Sequence, residues 1–350
     1  MYYKGVDKMF NKLYEKFKNF MSENLKTIIV FLLLYLVLTI PLPYYVYAGG
    51  GTIDISNRVD VKSSKKNKIN GKMYFAYVRE LKGNPATYLL SKIIKDWDLE
   101  KEEDVTLTDD ETMEDVTFRD RIYLKSANQN AILQAYQKAG KKVAIKASHP
   151  YVLYVTEKEE NGLRVGDEII SVEDKKYTNV DDFKKIINAK EVGDKINLVV
   201  KRDNKEKKVT VTIKDNKGVK QAGVSIMMIY DYDTNPNIEL KFKQSESGPS
   251  GGLMLTLAIY NNLTKKDITN GKKIVGTGTI EEDGSIGSIG GVKYKLNGAV
   301  RQKADVFLVP AGENYEEAMK EKKRKGYSIR IEAVATFDDA LKALDKKSRE

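Results

Sequence analysis

A serine flanked by glycines stands directly before an apolar helix. The stretch Gly248-Pro-Ser-Gly-Gly252 leads into Leu253, Met254, Leu257 and Ala258, which share one stripe at helical spacing. A helix buried on that stripe would fix Ser250 at its start, and the free N–H groups around Gly248 and Gly251 would bind an oxyanion. The alternative is a serine that only caps the helix. Spacing alone leaves both interpretations open.

A lysine on the next long helix supplies a candidate base. Counting three and seven residues on from Lys293 gives Leu296 and Val300, so Lys293 is predicted on the apolar face, with Lys295 about 200° away. Burial disfavours the charged ammonium and lowers its pKa. A neutral amine from Lys293 would take the proton of the Ser250 hydroxyl. The alternative is a lysine whose ammonium reaches solvent from the helix edge.

Composition excludes several kinds of catalytic site. The 350 residues contain no cysteine and one histidine, His149, so thiol nucleophiles, disulfides and multi-histidine zinc sites are absent from this sequence. We expect no metal and no cofactor. The net charge of +10 is compatible with a nucleic-acid partner, but the basic residues are spread along the chain, and we expect none.

An uncharged segment near the N-terminus predicts a membrane anchor. Residues 27–48 form an apolar run of a length that crosses a bilayer, and residues 1–26 form a lysine-containing leader. The excess of lysine before the run predicts a cytosolic leader and a single-pass protein of the cell membrane, with everything after residue 49 outside the cytoplasm. A signal peptide cleaved after Ala48 is the alternative.

The exported part is predicted to be α+β. Residues 49–139 are interpreted as a Gly-, Ser- and Lys-rich tether over 49–70 followed by a strand and two helices. Residues 140–215 alternate short strands and turns around one helix. Residues 216–350 alternate strands and helices, which predicts an α/β domain.

The stretch Leu163-Arg-Val-Gly-Asp-Glu-Ile-Ile-Ser-Val172 resembles the signature of PDZ domains. The resemblance implies that an extended peptide adds as a strand beside residues 151–155, opposite a helix over 180–188. Tyr151, Val152 and Leu153 are then the expected peptide-binding residues. A small β-module that only orients its neighbour is the alternative.

Three further motifs resemble the proteolytic domain of Lon peptidases: Gly-Pro-Ser-Gly-Gly over 248–252, Thr-Gly-Thr-Ile over 277–280 and Ile-Gly-Gly-Val-Lys-Tyr-Lys over 289–295. The resemblance implies a dyad of Ser250 and Lys293, with Thr277 orienting the lysine. Gly251 is a departure, because Lon proteins usually carry alanine there. The order of anchor, PDZ domain and Lon-type domain is similar to the membrane-anchored PDZ-Lon peptidases.

This resemblance implies an ATP-independent serine endopeptidase that acts on unfolded or extended proteins outside the cytoplasm, with the PDZ domain recognising or gating substrates. No G-x-x-x-x-G-K-[ST] phosphate-binding motif occurs in the sequence. Partners are expected to be protein or peptide substrates, the membrane and, as in other Lon-type domains, copies of the same chain in a hexameric ring. A non-catalytic PDZ adaptor with a Lon-like domain is the alternative.

Overall fold

The computed structural model describes residues 3–62, 68–105, 111–156, 162–176, 179–242, 248–264 and 266–345. Parts of the predicted leader, tether, PDZ domain and C-terminal domain therefore lie outside the described residues. Within them, the helices are α1 (Tyr3–Thr39), α2 (Pro85–Ile93), α3 (Met113–Lys138), α4 (Val180–Asn188), α5 (Gly252–Leu263), α6 (Val292–Arg301), α7 (Glu313–Lys325) and α8 (Phe337–Asp345).

The strands alternate with these helices along the chain. They are β1 (Tyr44–Asp54), β2 (Val59–Val61), β3 (Lys72–Lys82), β4 (Asp98–Lys101), β5 (Lys142–Val155), β6 (Glu168–Val172), β7 (Lys175–Lys176), β8 (Lys195–Arg202), β9 (Lys205–Thr212), β10 (Lys214–Asn216), β11 (Val219–Gln221), β12 (Val224–Asn235), β13 (Ile238–Leu240), β14 (Lys273–Gly276), β15 (Val306–Pro310) and β16 (Arg330–Val334).

The chain divides into two compact units. The first comprises residues 1–48 and 80–104, and the second comprises residues 49–79 and 105–350. In the first unit, a 29-residue stretch of α1, Asn11–Thr39, is long and apolar enough to cross a membrane. The predicted run over 27–48 is too long as a helix. The helix ends at Thr39, before Pro41 and Pro43, and the tyrosines at 44, 45 and 47 lie in β1, which pairs with β4.

A sheet in the order β16-β15-β14-β3-β1 organises the second unit. The strands β3, β14, β15 and β16 are parallel, with Gly276 of β14 opposite Phe75 of β3. Helix α5 contributes one core layer with α3 and α8, and α6 and α7 contribute another with Val275 and Phe307 of the sheet. Each parallel strand is thus covered by helices, as parallel sheets require.

The predicted tether is wrong over residues 49–61. This stretch forms the end of β1 and all of β2, and Ile55, Val59 and Val61 are buried in the core. The glycines of β1 allow this strand to pack closely against β3. A Cβ at Gly50 would lie 1.5 Å from the carbonyl oxygen of Tyr77 in β3, so only glycine fits.

A second sheet in the order β12-β5-β6-β8-β9 carries α4 on its apolar face. Its core contains Val152, Ile169, Leu198, Val211 and Phe183. The predicted boundary at residue 215 is wrong, because β12 pairs with β5 along residues 224–235 and so completes this sheet. The alternation of strands in residues 140–215 was predicted correctly, but the pairing of a strand from beyond 215 has no local signal.

Candidate active site

The segment that carries Ser250 is a short turn followed by a buried helix. Residues Pro249–Gly251 form one 3₁₀ turn, and α5 starts at Gly252. Helix α5 is apolar on all sides, and nine of its residues are buried, including Leu253, Met254 and Leu257. A helix enclosed on every side cannot rotate or shift easily, so Ser250 is held at a fixed point.

Two glycines allow this segment to lie close to its neighbours. A Cβ at Gly252 would lie 2.8 Å from Cγ2 and 2.9 Å from the backbone nitrogen of Ile280. At Gly251 it would lie 3.0 Å from the ring of Phe75. The departure from alanine at Gly251 is therefore explained by Phe75, which occupies the space that a methyl group would need.

The backbone of Ser250 is fixed by the loop that follows β14. The Ser250 carbonyl accepts hydrogen bonds from the Gly278 N–H at 2.8 Å and the Thr277 hydroxyl at 3.2 Å. Thr277 is fully buried, and its own N–H donates to Leu308 of β15 at 3.0 Å. The structure thus brings Thr277 to the nucleophile segment, with its hydroxyl on Ser250.

The predicted oxyanion donors are only partly available. The Gly251 N–H donates to the Gly248 carbonyl at 2.9 Å, and the N–H of Gly252 donates to Pro249. The expectation that the Gly251 N–H is free at the helix start is therefore wrong in this conformation, because the 3₁₀ turn uses it. This turn has to open before Gly251 can bind an oxyanion.

The two lysines of α6 differ from the predicted arrangement. Lys295 is 5% exposed, and burial lowers its pKa to about 8, an effect that the nearby Glu317 carboxylate partly opposes. Lys293 is half-buried, and its Nζ lies 4.9 Å from the centre of the Tyr294 ring. The prediction that Lys293 lies on the buried face and Lys295 opposite it is wrong.

The burial of the two lysines was mispredicted because the wrong row of apolar residues on α6 was taken as the buried face. The residues of α6 that pack on the sheet are Val292, Leu296 and Ala299, and all three are fully buried. Lys295 follows Val292 by three positions and precedes Ala299 by four, so it shares their face. Val300, which was used to place Lys293, is only half-buried. The pattern at 292, 296 and 299 is visible in the sequence and could have identified Lys295.

Side chains of α7 fix the start of α6. The Asn314 side chain is buried and bonds to both backbone groups of Ile289 at 2.9 Å. The Glu317 carboxylate accepts the Lys293 backbone N–H at 3.3 Å. At the other end, a Cβ at Gly298 would lie 2.9 Å from the Gly51 carbonyl oxygen of β1. The helix that carries Lys295 is therefore anchored at its start and closely packed at its end.

The predicted peptide-binding strand has no free edge. Val152 donates its N–H to Asp167 and accepts from Gly166, both at 2.8 Å, and Tyr151 pairs with Glu168 of β6. On its other side β5, including Leu153, lies against β12. The assignment of Tyr151, Val152 and Leu153 as peptide-binding residues is therefore wrong, because β5 is an interior strand that cannot accept another strand.

One of the two edge strands of this sheet is β12. Its Val224, Ile226 and Met228 pack on the same core cluster as Phe183 and Ile187 of α4. Sequence analysis assigned residues 223–230 to the other domain and so missed this edge. A β-strand facing a helix across an open edge is the arrangement that accepts an extended peptide.

Two consecutive residues of helix α3 contact different parts of the unit: Gln129 bonds to the edge strand β12, and Asn130 bonds to the loop after β14. The Gln129 side chain accepts the Tyr230 N–H at 2.6 Å and donates to the Met228 carbonyl at 3.3 Å, so it covers part of the β12 edge. The buried Asn130 side chain donates to the Ile280 carbonyl at 3.0 Å. Ile280 lies in the loop whose Thr277 and Gly278 bond to Ser250, so one helix contacts both the β12 edge and the loop that holds Ser250.

Comparison with known protein families finds two matches. Residues 131–213 match the PDZ domain, and residues 243–346 match the Lon protease (S16) C-terminal proteolytic domain. No curated protein matches the chain. Of the three predicted site motifs, all lie within the second match.

Similar solved structures concern the PDZ region. The PDZ domain of an SdrC-like protein from Listeria monocytogenes is 23% identical, with 24% of this chain and 92% of that chain covered and a TM-score of 0.21. The PDZ domain of an SdrC-like protein from Listeria innocua is 27% identical over 22% and 92%, with a TM-score of 0.20. The second domain of a Listeria protein is 28% identical over 23% and 83%, with a TM-score of 0.19.

The proteolytic-domain match supports a serine peptidase of the Lon family, and the PDZ match supports binding of peptides or proteins. The two matches, in this order within one chain of 350 residues, are consistent with a PDZ-Lon peptidase.

Proposed function

We propose that the protein is a membrane-anchored serine endopeptidase in which Ser250 is the nucleophile and Lys295, in place of Lys293, is the general base. The observation that carries the proposal is the burial of Lys295, which lowers its pKa to about 8. A lysine must lose its proton near neutral pH to activate a serine, and desolvation is the usual means. Lys293 is less deeply buried, and its Nζ lies 4.9 Å from the centre of the Tyr294 ring.

The reaction proceeds in two steps. Neutral Lys295 takes the proton of Ser250 as Oγ attacks the scissile carbonyl, and the resulting ammonium protonates the leaving amine. A water molecule then attacks the acyl-enzyme, with the same amine as base. The oxyanion is stabilised by backbone N–H groups around Gly248 and Gly251 once the 3₁₀ turn opens. The catalytically competent form brings Nζ of Lys295 within hydrogen-bond reach of Oγ.

The test compares four full-length proteins in detergent on an unfolded protein substrate: wild type, Ser250→Ala, Lys295→Ala and Lys293→Ala. We expect the first two variants to lose at least about a thousandfold in kcat/KM and Lys293→Ala to retain most activity. If Lys293→Ala lost activity and Lys295→Ala retained it, Lys293 would be the general base. Equal cleavage by all four proteins would refute the dyad, and cleavage by none of them would support the non-catalytic adaptor.

We propose that substrates reach the site through β12. An extended segment adds to the β12 edge opposite α4, which favours unfolded or loose proteins as substrates because ATP-driven unfolding is not expected. The Gln129 amide already occupies the edge at Met228 and Tyr230, so the free part of the edge centres on Ile226. Ring assembly into hexamers stays a prediction.

We further propose that α1 anchors the protein with its leader in the cytosol and the catalytic part outside. The chain has no cysteine, so a single introduced cysteine reports topology without background. Asp7→Cys, which lies before the candidate span, should be protected from a membrane-impermeant thiol reagent in whole cells, whereas Lys207→Cys should react. Release of a chain shortened by about 48 residues would support signal-peptide cleavage instead.

A further inference from the structure

Helix α2 exposes a continuous apolar face. Leu89, Leu90 and Ile93 are 60%, 42% and 75% exposed, and none of the nine residues of α2 is buried. At 100° per residue, the three side chains lie within about 100° of one another, so they form one face. We call it the α2 face. A face of large aliphatic side chains on a soluble surface marks an interaction site.

The helix is a well-formed element. Pro85 occupies its first turn, and Asn84 and Thr87 form a reciprocal capping box in which each side chain bonds the other's backbone N–H at 2.8 Å. At the other end, the Ile94 N–H donates to the Leu90 carbonyl at 2.8 Å. The orientation of Leu89, Leu90 and Ile93 to one side is therefore fixed by the helix itself.

The start of α2 is tied to the C-terminal end of the apolar helix α1. The Asn84 side chain donates to the Leu38 carbonyl at 3.0 Å, one of the carbonyls that the end of a helix leaves without a partner. The Leu42 N–H donates to Gly83 at 2.9 Å, and the Gly83 N–H donates to Tyr44 at 2.7 Å. Helix α2 thus begins at the level at which the candidate membrane span ends.

The other side chains of α2 suit the border between lipid and water. Lys92 lies 5.1 Å from the centre of the Tyr88 ring, and Lys95 follows on the polar side. Trp97 comes directly after the helix, with its N–H on Ile94 at 3.0 Å. Lysine, tyrosine and tryptophan beside an aliphatic face are the composition of helices that lie in a membrane interface.

We propose that α2 lies in the interface of the outer leaflet, with Leu89, Leu90 and Ile93 inserted among the lipid chains. The proposal rests on the membrane anchor proposed above, and it adds a second, monotopic contact beside the span. The occupant is lipid because the bonds from Asn84 and Gly83 hold the helix at the end of α1. A second copy of the chain would have to enter the same interfacial layer to cover this face.

The test uses the full-length protein in nanodiscs that hold one chain each. Trp97 is the only tryptophan, so the native fluorescence reports the end of α2 without any added label. Lipids brominated near the headgroup should quench Trp97 at least about twofold more than lipids brominated at the chain ends, as expected for an interfacial depth. Leu89→Ser with Ile93→Ser should reduce the quenching, whereas the equally exposed Ile145→Ser in β5 should not.

Extraction with alkaline carbonate tests the membrane anchor independently of the α2 face. A chain that resists extraction but shows no quenching would overturn the inference and leave the anchor intact. A chain that is extracted would refute the anchor and the inference together. Quenching that is equal in wild type and the double variant would show that Trp97 meets lipid without the α2 face, and quenching that needs two chains per nanodisc would assign the face to a second copy.

Discussion

Thr277 and Ser250 are joined by a hydrogen bond of 3.2 Å from the threonine hydroxyl to the serine backbone carbonyl. The adjacent Gly278 N–H donates to the same carbonyl at 2.8 Å. The loop after β14 therefore holds the backbone of Ser250, the proposed nucleophile, through two hydrogen bonds to one carbonyl. The family resemblance implied a threonine that orients the lysine; the observed contact is with the serine's backbone.

Replacing Thr277 with valine keeps the shape of the buried side chain and removes this bond. We expect kcat to fall about tenfold to a hundredfold with little change in KM, because the position of Ser250 is altered and peptide binding is not. Thr277→Ser restores the hydroxyl and should recover most of the rate. Equal loss in both variants would indicate a packing role for Thr277 instead.

The rate should depend on pH through Lys295. Its pKa is lowered to about 8 by burial, so the ammonium predominates below that pH and the neutral base above it. We expect kcat/KM to rise about tenfold per pH unit up to pH 7 and to level off above pH 8. The profile of Lys293→Ala should be unchanged. A flat profile between pH 6 and 9 would exclude Lys295 as the base.

The buried charge of Lys295 should reduce stability. The pKa of Lys295 is lower in the folded than in the unfolded state, so the folded state binds fewer protons between pH 8 and the ordinary lysine pKa of 10.5. The free energy of unfolding therefore rises as the pH increases from 8 to 10.5. Below pH 8, the whole cost of burying the charged ammonium of Lys295 is present. Lys295→Met should raise the free energy of unfolding by on the order of 1–3 kcal/mol at pH 7 while abolishing activity.

Thermal unfolding of Lys295→Met and wild type at pH 7 and pH 10 checks this expectation. The gain in melting temperature should be larger at pH 7, because wild-type Lys295 is mostly neutral at pH 10. A variant that melts below wild type at pH 7 would contradict the penalty. Lys293→Met is the matched control on the same helix.

Asn130 should affect both stability and activity. Asn130→Ala leaves the Ile280 carbonyl without its donor, which costs about 1–3 kcal/mol, and loosens the loop that holds Ser250. We expect a lower melting temperature together with a lower kcat. Gln134→Ala, one turn further along α3, removes the exposed bond to the Glu282 carbonyl and should change little. Similar effects of the two substitutions would argue against a special link through Asn130.

Peptide binding should protect the edge of β12. Backbone groups alternate along a strand, and Gln129 bonds the outward groups of Met228 and Tyr230, so the Ile226 N–H also points outward. Amide exchange at Ile226 should slow when an extended substrate binds to Ser250→Ala protein. Exchange at Val152 should not change, because its N–H is already bonded to Asp167. Slower exchange at Val152 instead would indicate that the substrate binds beside β5.

Local patterns predicted much of the site. The glycines around Ser250 and the apolar run after it gave the nucleophile helix, and the motif at 277–280 gave the loop that contacts it. The burial of Lys293 was mispredicted because two apolar stripes of α6 share Leu296, and the stripe that packs on the sheet is the one with Val292 and Ala299. The place of β3 in the sheet could not be read locally, since its partners in β14 lie about 200 residues further along the chain. The pairing of β12 with β5 was missed for the same reason, because the two strands are far apart in the sequence.

The sheet behind the nucleophile helix is completed by β1 and β3, which precede the PDZ domain in the chain. The PDZ domain is thus an insertion within the peptidase fold, and a clone that started at residue 216 would lack two strands of its own core. Nicking of a PDZ loop would likewise not liberate an active fragment, since both cleavage products would remain interlocked parts of one enzyme.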